Sequence, residues 1–432
     1  MATKRSIGGR QRVVDSSRMH ICLISPGHLS TNPRLVKEAR TLRSAGYRVS
    51  IVCGRYMDTG IAADVSLAHE LAPVNAVSFG PQAASGPTYL RQGLARFAAR
   101  RAVRLGLKSA RLVEIAQHPA ARDLQRAAIQ IKADLYVAHY VAALPAAARA
   151  AQRHSAIYSF DAEDFHLGDL PDLPEHSFEK ELIRTIEQRY LPAAAFVTAA
   201  APLIAAAYVE TYQIAPPTPI LNVFARSSAP KMPHTYATVE PGPAIYWFSQ
   251  TIGPGRGLEA AIAAIAIAQT QPHLYVRGNA VPSYAAELRA QANQLNVGDR
   301  LHFLPSLHPA DLERAGAVFE LGYAGELAET CNRGIALTNK LFSYLTSGLP
   351  VLLSDTPAHC ELAPQLDAAA ELFAAGEPLS LAAAIDRCLA NPEALAARRR
   401  HAWDLGQEQF SWERQEEQLL ALVSSAMPGK AT

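Results

Sequence analysis

The sequence predicts an α/β protein with two domains, each built on a parallel sheet covered by helices. Short apolar runs typical of buried parallel strands alternate with stretches of helical periodicity in both halves of the chain. The segment 226–243 interrupts this alternation with four prolines and little apolar pattern. We therefore predict an N-terminal domain at 19–228, a linker at 229–243, a C-terminal domain at 244–409 and a final helix within 410–427.

Composition supports a globular protein and disfavours a nucleic-acid-binding one. The chain has 432 residues, of which 49% are hydrophobic and 19% charged, and its net charge is +2. This length is enough for two domains of ordinary size. A balanced charge offers no basic surface of the kind that nucleic acids require, so we expect no nucleic-acid partner.

The cysteines and the first residues bear on where the protein works. The five cysteines contain no C-x-x-C pair, which favours reduced thiols over disulfides or a zinc site. Residues 1–18 are polar and basic and lack the apolar core of a signal peptide, so we predict a disordered basic tail there. No apolar run is long enough for a membrane span. We expect a cytoplasmic protein, soluble or peripheral to a membrane, with no metal ligand set.

The stretch 339–355 predicts a helix followed by a buried strand. Residues 340–347 carry an apolar face at helical spacing, and Gly348 lies where a helix C-cap needs positive φ. Pro350 prevents continuation of the helix, and 351–353 is a continuous apolar run. Free N–H groups at the start of such a helix suit a phosphate, with Asn339 and Lys340 placed there. Spacing alone favours an ordinary helix-to-strand connection over a phosphate site.

The first βαβ unit, at 19–53, has a polar loop where its first strand ends. The helix predicted from Pro33 has Asn32 as its N-cap. Gly27, His28 and Asn32 are candidate ligand contacts because ligands bind at this edge of open α/β sheets. One glycine in the loop does not match a dinucleotide fingerprint. Plain turn chemistry explains these residues as well.

A strand is predicted at 65–71, and the segment 86–118 that follows is the most basic of the chain. It carries seven cations and no acid before Glu114. A solvated helix face accounts for this pattern. Contact of 91–111 with the anionic inner face of a membrane, or with a lipid-linked acceptor, is the alternative hypothesis.

Acid/base groups follow two predicted strands, at 133–138 and 156–160. The first strand ends at His139, and the second leads into an acidic segment that also contains a histidine. Charged groups there need partners or water, so packing alone explains them poorly, although Asp161 or Asp164 could cap a helix. The candidate catalytic residues are His139, Glu163, Asp164 and His166. Which of them acts in the reaction stays open.

The second half begins with a strand at 244–249 and a glycine-rich loop. Gly253, Gly255 and Gly257 allow close approach of a ligand to the backbone, and Arg256 adds a charge suited to a diphosphate. The spacing does not fit a dinucleotide fingerprint, and a glycine-rich loop alone is weak evidence. Further strands are predicted at 273–277, 301–304 and 317–323, with helices at 378–405 and 412–423.

Two of these stretches, 244–259 and 339–355, resemble group 1 glycosyltransferases with the GT-B fold (glycosyltransferase family 4-like). The resemblance covers 19–425 and implies two Rossmann-like domains facing across a cleft, with the last helix crossing back to the N-terminal domain. It implies transfer of a sugar from a nucleoside-diphosphate sugar to a glycan or lipid-linked glycan. The reaction would need no cofactor or metal and would retain the anomeric configuration.

The resemblance also assigns expected roles to residues of the C-terminal half, where the chain departs from the family pattern. The usual pair of glutamates is replaced by Ile335 and Ser343, and an expected arginine is Thr251. Glu329 and Asn332 are candidates to replace the first glutamate; a surface loop is the alternative. The donor-binding candidates are Gly27, Gly253, Gly255, Arg256, Gly257, Asn279, Leu304, Glu329, Asn332, Asn339, Lys340 and Ser343. In the N-terminal half, Glu163 and Asp164 stand where the family has His and Glu.

Three other functions remain open at this point. A sugar-nucleotide epimerase shares the architecture. A non-catalytic sugar-nucleotide-binding or assembly protein is compatible with the missing glutamates. An NAD-dependent dehydrogenase is disfavoured because neither half has the glycine fingerprint.

Overall fold

A computed structural model describes residues 19–230, 242–308 and 311–427. The predicted tail at 1–18 lies outside the described residues, as does 231–241 of the predicted linker.

The first sheet has seven strands in the order β3-β2-β1-β4-β5-β6-β7. Strand β1 pairs in parallel with β2 and with β4, so the chain returns to the same edge after each helix. The strands are β1 (His20–Ser25), β2 (Arg48–Arg55), β3 (Val74–Ser78), β4 (Leu135–His139), β5 (Ile157–Ala162), β6 (Val197–Ala199) and β7 (Thr218–Pro219).

The second sheet has six strands in the order β10-β9-β8-β11-β12-β13, and all of its pairings are parallel. Its strands are β8 (Ala244–Ile252), β9 (His273–Ala280), β10 (Leu301–Leu304), β11 (Leu321–Ala324), β12 (Val351–Ser354) and β13 (Ala370–Phe373). The α/β class and the two parallel sheets confirm the predicted fold class.

Helices connect the strands throughout the described residues. Those of the first half are α1 (Pro33–Ser44), α2 (Asp58–Glu70), α3 (Gly80–Ala83), α4 (Gly86–Arg104), α5 (Ala110–Gln117), α6 (Ala121–Ile129), α7 (Leu144–His154), α8 (Ser177–Tyr190) and α9 (Pro202–Tyr212). Those of the second half are α10 (Leu258–Ile267), α11 (Pro282–Gln294), α12 (Leu312–Gly316), α13 (Cys331–Ile335), α14 (Asn339–Ser347), α15 (Pro357–Leu366), α16 (Pro378–Leu389), α17 (Pro392–Glu408) and α18 (Trp412–Ala426).

The chain divides into two compact units. The first contains the described residues up to Phe160, together with Ala193–Phe196 and the described residues from Leu419 onward. The second contains Asp161–Pro192 and Val197–Gln418. The second unit has a continuous apolar core in which Trp247, Leu258 and Ile262 are fully buried. Among the described residues, no helix is both long enough and apolar enough to cross a membrane.

Two of the predicted strands are wrong in type or extent. Residues 65–70 belong to α2, and the third strand comes later, at Val74–Ser78. The alanines and the early acid of α2 favour a helix, and the apolar positions at its end mimicked a strand. The strand predicted at 317–323 is shorter, because β11 begins only at Leu321.

Candidate functional site

The second sheet concentrates its loops at the carboxyl ends of three neighbouring strands. Strands β8, β11 and β12 are adjacent, and each leads into a loop that begins a helix. Ligands of open α/β sheets bind at this edge. The site described next lies entirely within the second unit.

The loop after β8 contains the predicted glycines, and two of them adopt left-handed backbone. Gly255 has φ +74° and Gly257 has φ +70°, a region that only glycine enters without strain. A Cβ atom at Gly257 would lie 2.4 Å from the carbonyl oxygen of Gly325, after β11. The Tyr323 hydroxyl donates to the carbonyl of Gly257 at 2.7 Å. The loops after β8 and β11 are therefore locked together.

A second contact fixes the same loop from α13. Arg333 donates from Nη1 to the carbonyl of Gly255 and to Oε2 of Glu329, both at 2.9 Å. The structure thus uses Glu329, a predicted sugar contact, to hold an arginine that supports the glycine loop. Gly253 lies at the start of this loop, where an added Cβ would have only ordinary contacts.

Two predicted cations meet on one buried carboxylate. Lys340 Nζ lies 2.7 Å from Oε1 of Glu326, and Arg256 Nη1 lies 3.6 Å from its Oε2. The side chains of Lys340 and Glu326 are 9% and 6% exposed, whereas that of Arg256 is 35% exposed. Lys340 Nζ also lies 5.6 Å from the ring centroid of Trp247. Lys340 is thus fixed on two sides, and Arg256 is held loosely.

The charges of this cluster set its protonation. Burial raises the pKa of the Glu326 carboxyl, but Lys340, Arg256 and His359 together lower it by a larger amount. The pKa is therefore below its ordinary value. Glu326 is therefore ionised at neutral pH. With two cations and one anion, the cluster has a net charge of +1, which favours an anionic ligand.

Helix α14 begins beside this cluster. Asn339 is its first residue, and the Thr338 side chain at the N-cap accepts no hydrogen bond from the helix backbone within the described part of the chain. The first N–H groups of α14 therefore keep their capacity for an anion. Gly348 caps the other end with φ +73°, as predicted. Ser343 is buried, and its hydroxyl donates to Glu313 at 2.9 Å, so its side chain is engaged in the interior.

A buried histidine on α15 completes the edge. His359 has no exposed surface, and its Nδ1 donates to the Ser354 carbonyl at 2.8 Å. The Ser354 hydroxyl donates to the Glu326 carbonyl at 2.7 Å, which links the ends of β12 and β11. Burial, the largest effect, lowers the pKa of His359, and its net pKa is below the ordinary value.

Two further donor-site candidates lie on β9 and β10, at one side of the sheet. Asn279 is exposed at the end of β9, and its Oδ1 accepts from the Ser306 hydroxyl at 3.1 Å. Leu304 is the last residue of β10. Both thus share the carboxyl edge with the glycine loop.

The acidic segment after β5 joins α13 through one amide. Asn332 accepts from the Phe165 N–H at 2.8 Å through Oδ1, and its Nδ2 donates to Asp164 at 2.8 Å and to Asp169 at 2.7 Å. Burial, and then the charge of Asp164, raise the pKa of Asp169 to about 6. Asn332, a predicted sugar contact, and Asp164, a predicted catalytic residue, are therefore direct neighbours.

His166 lies in a buried polar network. Its Nδ1 is 2.9 Å from the Tyr208 hydroxyl and 3.2 Å from Glu187. Tyr212 donates to the other oxygen of Glu187 at 2.5 Å. Burial lowers the pKa of His166, but the carboxylates around it outweigh burial, so its net pKa is raised. Glu163 directly follows β5 in the sequence, and its side chain is half-buried.

His139, the fourth catalytic candidate, belongs to the first unit. It is fully buried at the end of β4, and its Nε2 lies 2.9 Å from the carboxylate of Glu38 on α1. The other three candidates lie in the second unit.

Most polar groups of the loop after β1 bond within the chain, but Asn32 Nδ2 is buried and has no hydrogen-bond partner among the described residues. His28 Nε2 accepts the backbone N–H groups of Tyr56 and Met57, both at 3.1 Å, so the ring proton lies on Nδ1, which donates to Asp64 at 2.8 Å. Asn32 accepts from the Leu35 N–H as the N-cap of α1. The Gly27 carbonyl accepts from the Gly54 N–H at 3.0 Å.

The basic segment of the first unit exposes apolar side chains. Helix α4 and the turn after it expose Leu90, Leu94, Phe97, Leu105 and Leu107 by 59–74%. Some of the cations serve the fold, because Arg91 pairs with Asp123 and Arg96 donates to the Ala116 carbonyl. Arg101 and Arg104 are exposed beside Phe97 and Leu105.

Sequence reasoning missed three residues of these clusters. Glu326, His359 and Asp169 are not among the residues that the sequence analysis proposes for a site. The available signal was that Glu326 and His359 each follow a strand of the sheet within five residues, where polar residues gather around ligands.

Comparison with known proteins supports the fold. No family model matches the chain, and no curated protein matches its sequence. The solved structure of HepE from Anabaena in complex with UDP-glucose is similar, with 18% identity over 94% of this chain and 100% of that chain, and a TM-score of 0.68. Sucrose-phosphate synthase from Thermosynechococcus elongatus has 16% identity over 94% of this chain and 99% of that one, with a TM-score of 0.67.

An epimerase is also among the structural neighbours. A proposed UDP-N-acetylglucosamine 2-epimerase from Listeria monocytogenes has 11% identity over 95% of this chain and 96% of that chain, with a TM-score of 0.57. The two-sheet architecture of this chain is that of the GT-B fold.

Proposed function

We propose that this protein is a glycosyltransferase that takes a sugar from a nucleoside-diphosphate sugar. The observation that carries the proposal is the cluster of Lys340, Glu326 and Arg256 at the carboxyl ends of three adjacent strands. The fold supports it, since HepE, a structural neighbour, was solved with UDP and with UDP-glucose.

The diphosphate of the donor would bind beside Arg256, Lys340 and the start of α14. Arg256 lies 3.6 Å from Glu326, so its guanidinium could turn from that carboxylate to a phosphate. Lys340 and the first N–H groups of α14 would add positive potential. These groups would stabilise the charge that develops on the leaving diphosphate. We propose that they suffice without a metal or a cofactor, because the leaving group would meet two cations and a helix N-terminus.

The acceptor and the stereochemistry are further parts of the proposal. An anionic lipid or lipid-linked glycan would fit the exposed leucines, Phe97, Arg101 and Arg104 of the α4 surface, since apolar and cationic side chains together bind membrane interfaces. Charge reversal at Arg101 and Arg104 should release the protein from anionic liposomes; unchanged binding would refute this contact. We expect retention at the anomeric carbon, which the NMR coupling constant of the product would show.

The central experiment measures nucleotide binding to the purified chain. Titration calorimetry with UDP, GDP, ADP, dTDP, CMP and NAD, with and without EDTA, should show binding of one nucleoside diphosphate that EDTA does not weaken. Release of that diphosphate from its sugar conjugate should depend on an acceptor. Binding of NAD alone, or of no nucleotide, would refute the proposed function.

Epimerisation of a sugar nucleotide is the second candidate, because one structural neighbour is a proposed epimerase. An epimerase would invert a ring carbon without needing an acceptor. NMR of the nucleotide sugar after incubation with the enzyme alone distinguishes the two activities.

A further inference from the structure

The carboxyl edge of β11 and β12 presents more hydrogen-bond acceptors than its own donors satisfy. Within the part of the chain that the structure describes, His359 Nε2 is buried and has no hydrogen-bond partner. The Nδ1 atom of the same ring donates to Ser354, so Nε2 carries a lone pair and acts only as an acceptor. A buried polar atom without a partner costs about 1–3 kcal/mol and calls for an explanation.

Glu326 has an unused acceptor position beside it. Lys340 occupies Oε1 at 2.7 Å, but the 3.6 Å from Oε2 to Arg256 is too long for a hydrogen bond. A carboxylate accepts up to about four hydrogen bonds. Oε2 can therefore accept from a ligand once Arg256 moves toward a phosphate.

The two acceptors belong to one rigid unit. His359 holds the end of β12 through the Ser354 carbonyl, and the Ser354 hydroxyl holds the Glu326 backbone. Ser354 therefore connects the backbone of Glu326 to the ring of His359. Both are at least 90% buried, so any ligand group that reaches them leaves water.

We propose that Glu326 and His359 form the acceptor side of a subsite for hydroxyl groups of the donor sugar. Hydroxyl donors match a carboxylate oxygen and an imidazole lone pair, whereas a phosphate, which has no proton to donate when ionised, does not. The subsite would supply the sugar contacts that the absent glutamates leave open. This inference rests on the proposed function, since it assigns a further part of the same donor site.

The matched variants His359→Asn and His359→Gln separate the two ring nitrogens. Asparagine can keep the bond to the Ser354 carbonyl and removes the acceptor at Nε2, whereas glutamine can place an acceptor near Nε2. The probes are UDP with UDP-glucose and GDP with GDP-mannose, measured by calorimetry. The control variant is His273→Asn. His273 lies at the amino end of β9, whereas the proposed subsite lies at the carboxyl edge of the sheet.

We expect His359→Asn to weaken binding of the nucleotide sugar about tenfold while changing that of the bare nucleotide less than twofold. His359→Gln should recover part of the loss, and Glu326→Gln should weaken the sugar conjugate more than the bare nucleotide. Equal effects on both ligands, or none, would overturn the subsite and leave the proposed function intact. If the wild-type chain bound no nucleoside diphosphate, neither these two nor the others of the central experiment, both the subsite and the proposed function would be overturned.

Discussion

The loop after β1 and the loop after β8 occupy equivalent positions in the two sheets but differ in what they leave unsatisfied. In the first, both nitrogens of His28 have partners within the chain, and Asn32 caps α1 through its oxygen, although its Nδ2 is buried without a partner among the described residues. In the second, the Arg256 side chain is 35% exposed, and the 3.6 Å from its Nη1 to Glu326 Oε2 is too long for a hydrogen bond. Among the described residues, the N-cap of nearby α14 makes no side-chain cap bond. A cation that is not fully paired and a helix start without a side-chain cap, more than position in the sheet, distinguish the proposed binding loop from the other one.

The largest effect should come from Lys340→Ala, which removes the best-fixed cation of the cluster beside the second loop. It leaves Glu326 buried and charged without its closest partner, so we expect a loss of about 3–5 kcal/mol in the free energy of unfolding. Nucleotide affinity should fall below detection. Urea unfolding measures the first effect and calorimetry the second. The double variant Lys340→Ala/Glu326→Ala should recover stability but not binding; equal losses in both would contradict this explanation.

Arg256→Ala should separate binding from stability. Because Arg256 is partly exposed and lies 3.6 Å from Glu326, its removal should cost less than about 1 kcal/mol of stability. Nucleoside diphosphate affinity should fall about 10–100-fold, the value of one or two charge-assisted bonds.

His28→Ala is the matched change in the first loop. It leaves two backbone N–H groups and Asp64 without the imidazole, so stability should fall by about 1–3 kcal/mol while nucleotide affinity stays within twofold. If the nucleotide responded to His28 as strongly as to Arg256, the contrast between the loops would be wrong.

The glycines of the second loop provide a finer test. Gly257→Ala places a Cβ 2.4 Å from the Gly325 carbonyl oxygen, so the loop must shift. The positive φ alone should lower the free energy of unfolding by about 1–2 kcal/mol. Gly253→Ala meets only contacts at 4.0 Å and should change stability by less than 0.5 kcal/mol, on the order of ordinary surface changes. Thermal unfolding compares the two; a similar midpoint for both would show that the loop is not locked.

The smallest effect concerns pH and the acids joined by Asn332. Because the pKa of Asp169 is raised to about 6, the folded state favours its protonated form, and this contribution is lost as pH rises from about 4 through 6. The variant Asp169→Asn should therefore gain stability relative to the wild type between pH 4 and pH 7. Neighbouring groups enclose the Asp169 carboxyl, but the residue as a whole is exposed to water, so solvent screening should keep the gain below about 1 kcal/mol. A relative loss over this range would show the opposite shift.

The sequence could predict the elements that periodicity and capping determine. The helix from Asn339, its Gly348 cap and the strand after Pro350 were all expected, because they depend on local spacing. Helix α2 was taken for a strand because seven residues carry too little periodicity to separate the two.

The partners of the site residues could not be predicted in the same way. The bond of Asn332 to Asp164 joins residues 168 positions apart, and the pairing of Lys340 with Glu326 depends on which strands are neighbours. Such contacts follow from sheet order, which single-sequence patterns do not determine. The binding roles predicted for Gly27, Glu329 and Ser343 remain predictions, although the structure gives each of them an internal contact.

The most direct measurement is hydrogen exchange of the protein with and without the nucleoside diphosphate that it binds. We predict slower exchange at 253–259 and at 338–342, where the glycine loop and the start of α14 would contact the diphosphate, and unchanged exchange at 26–32. Protection confined to 26–32, or no protection at either second-unit segment at saturating nucleotide, would contradict the placement of the donor site.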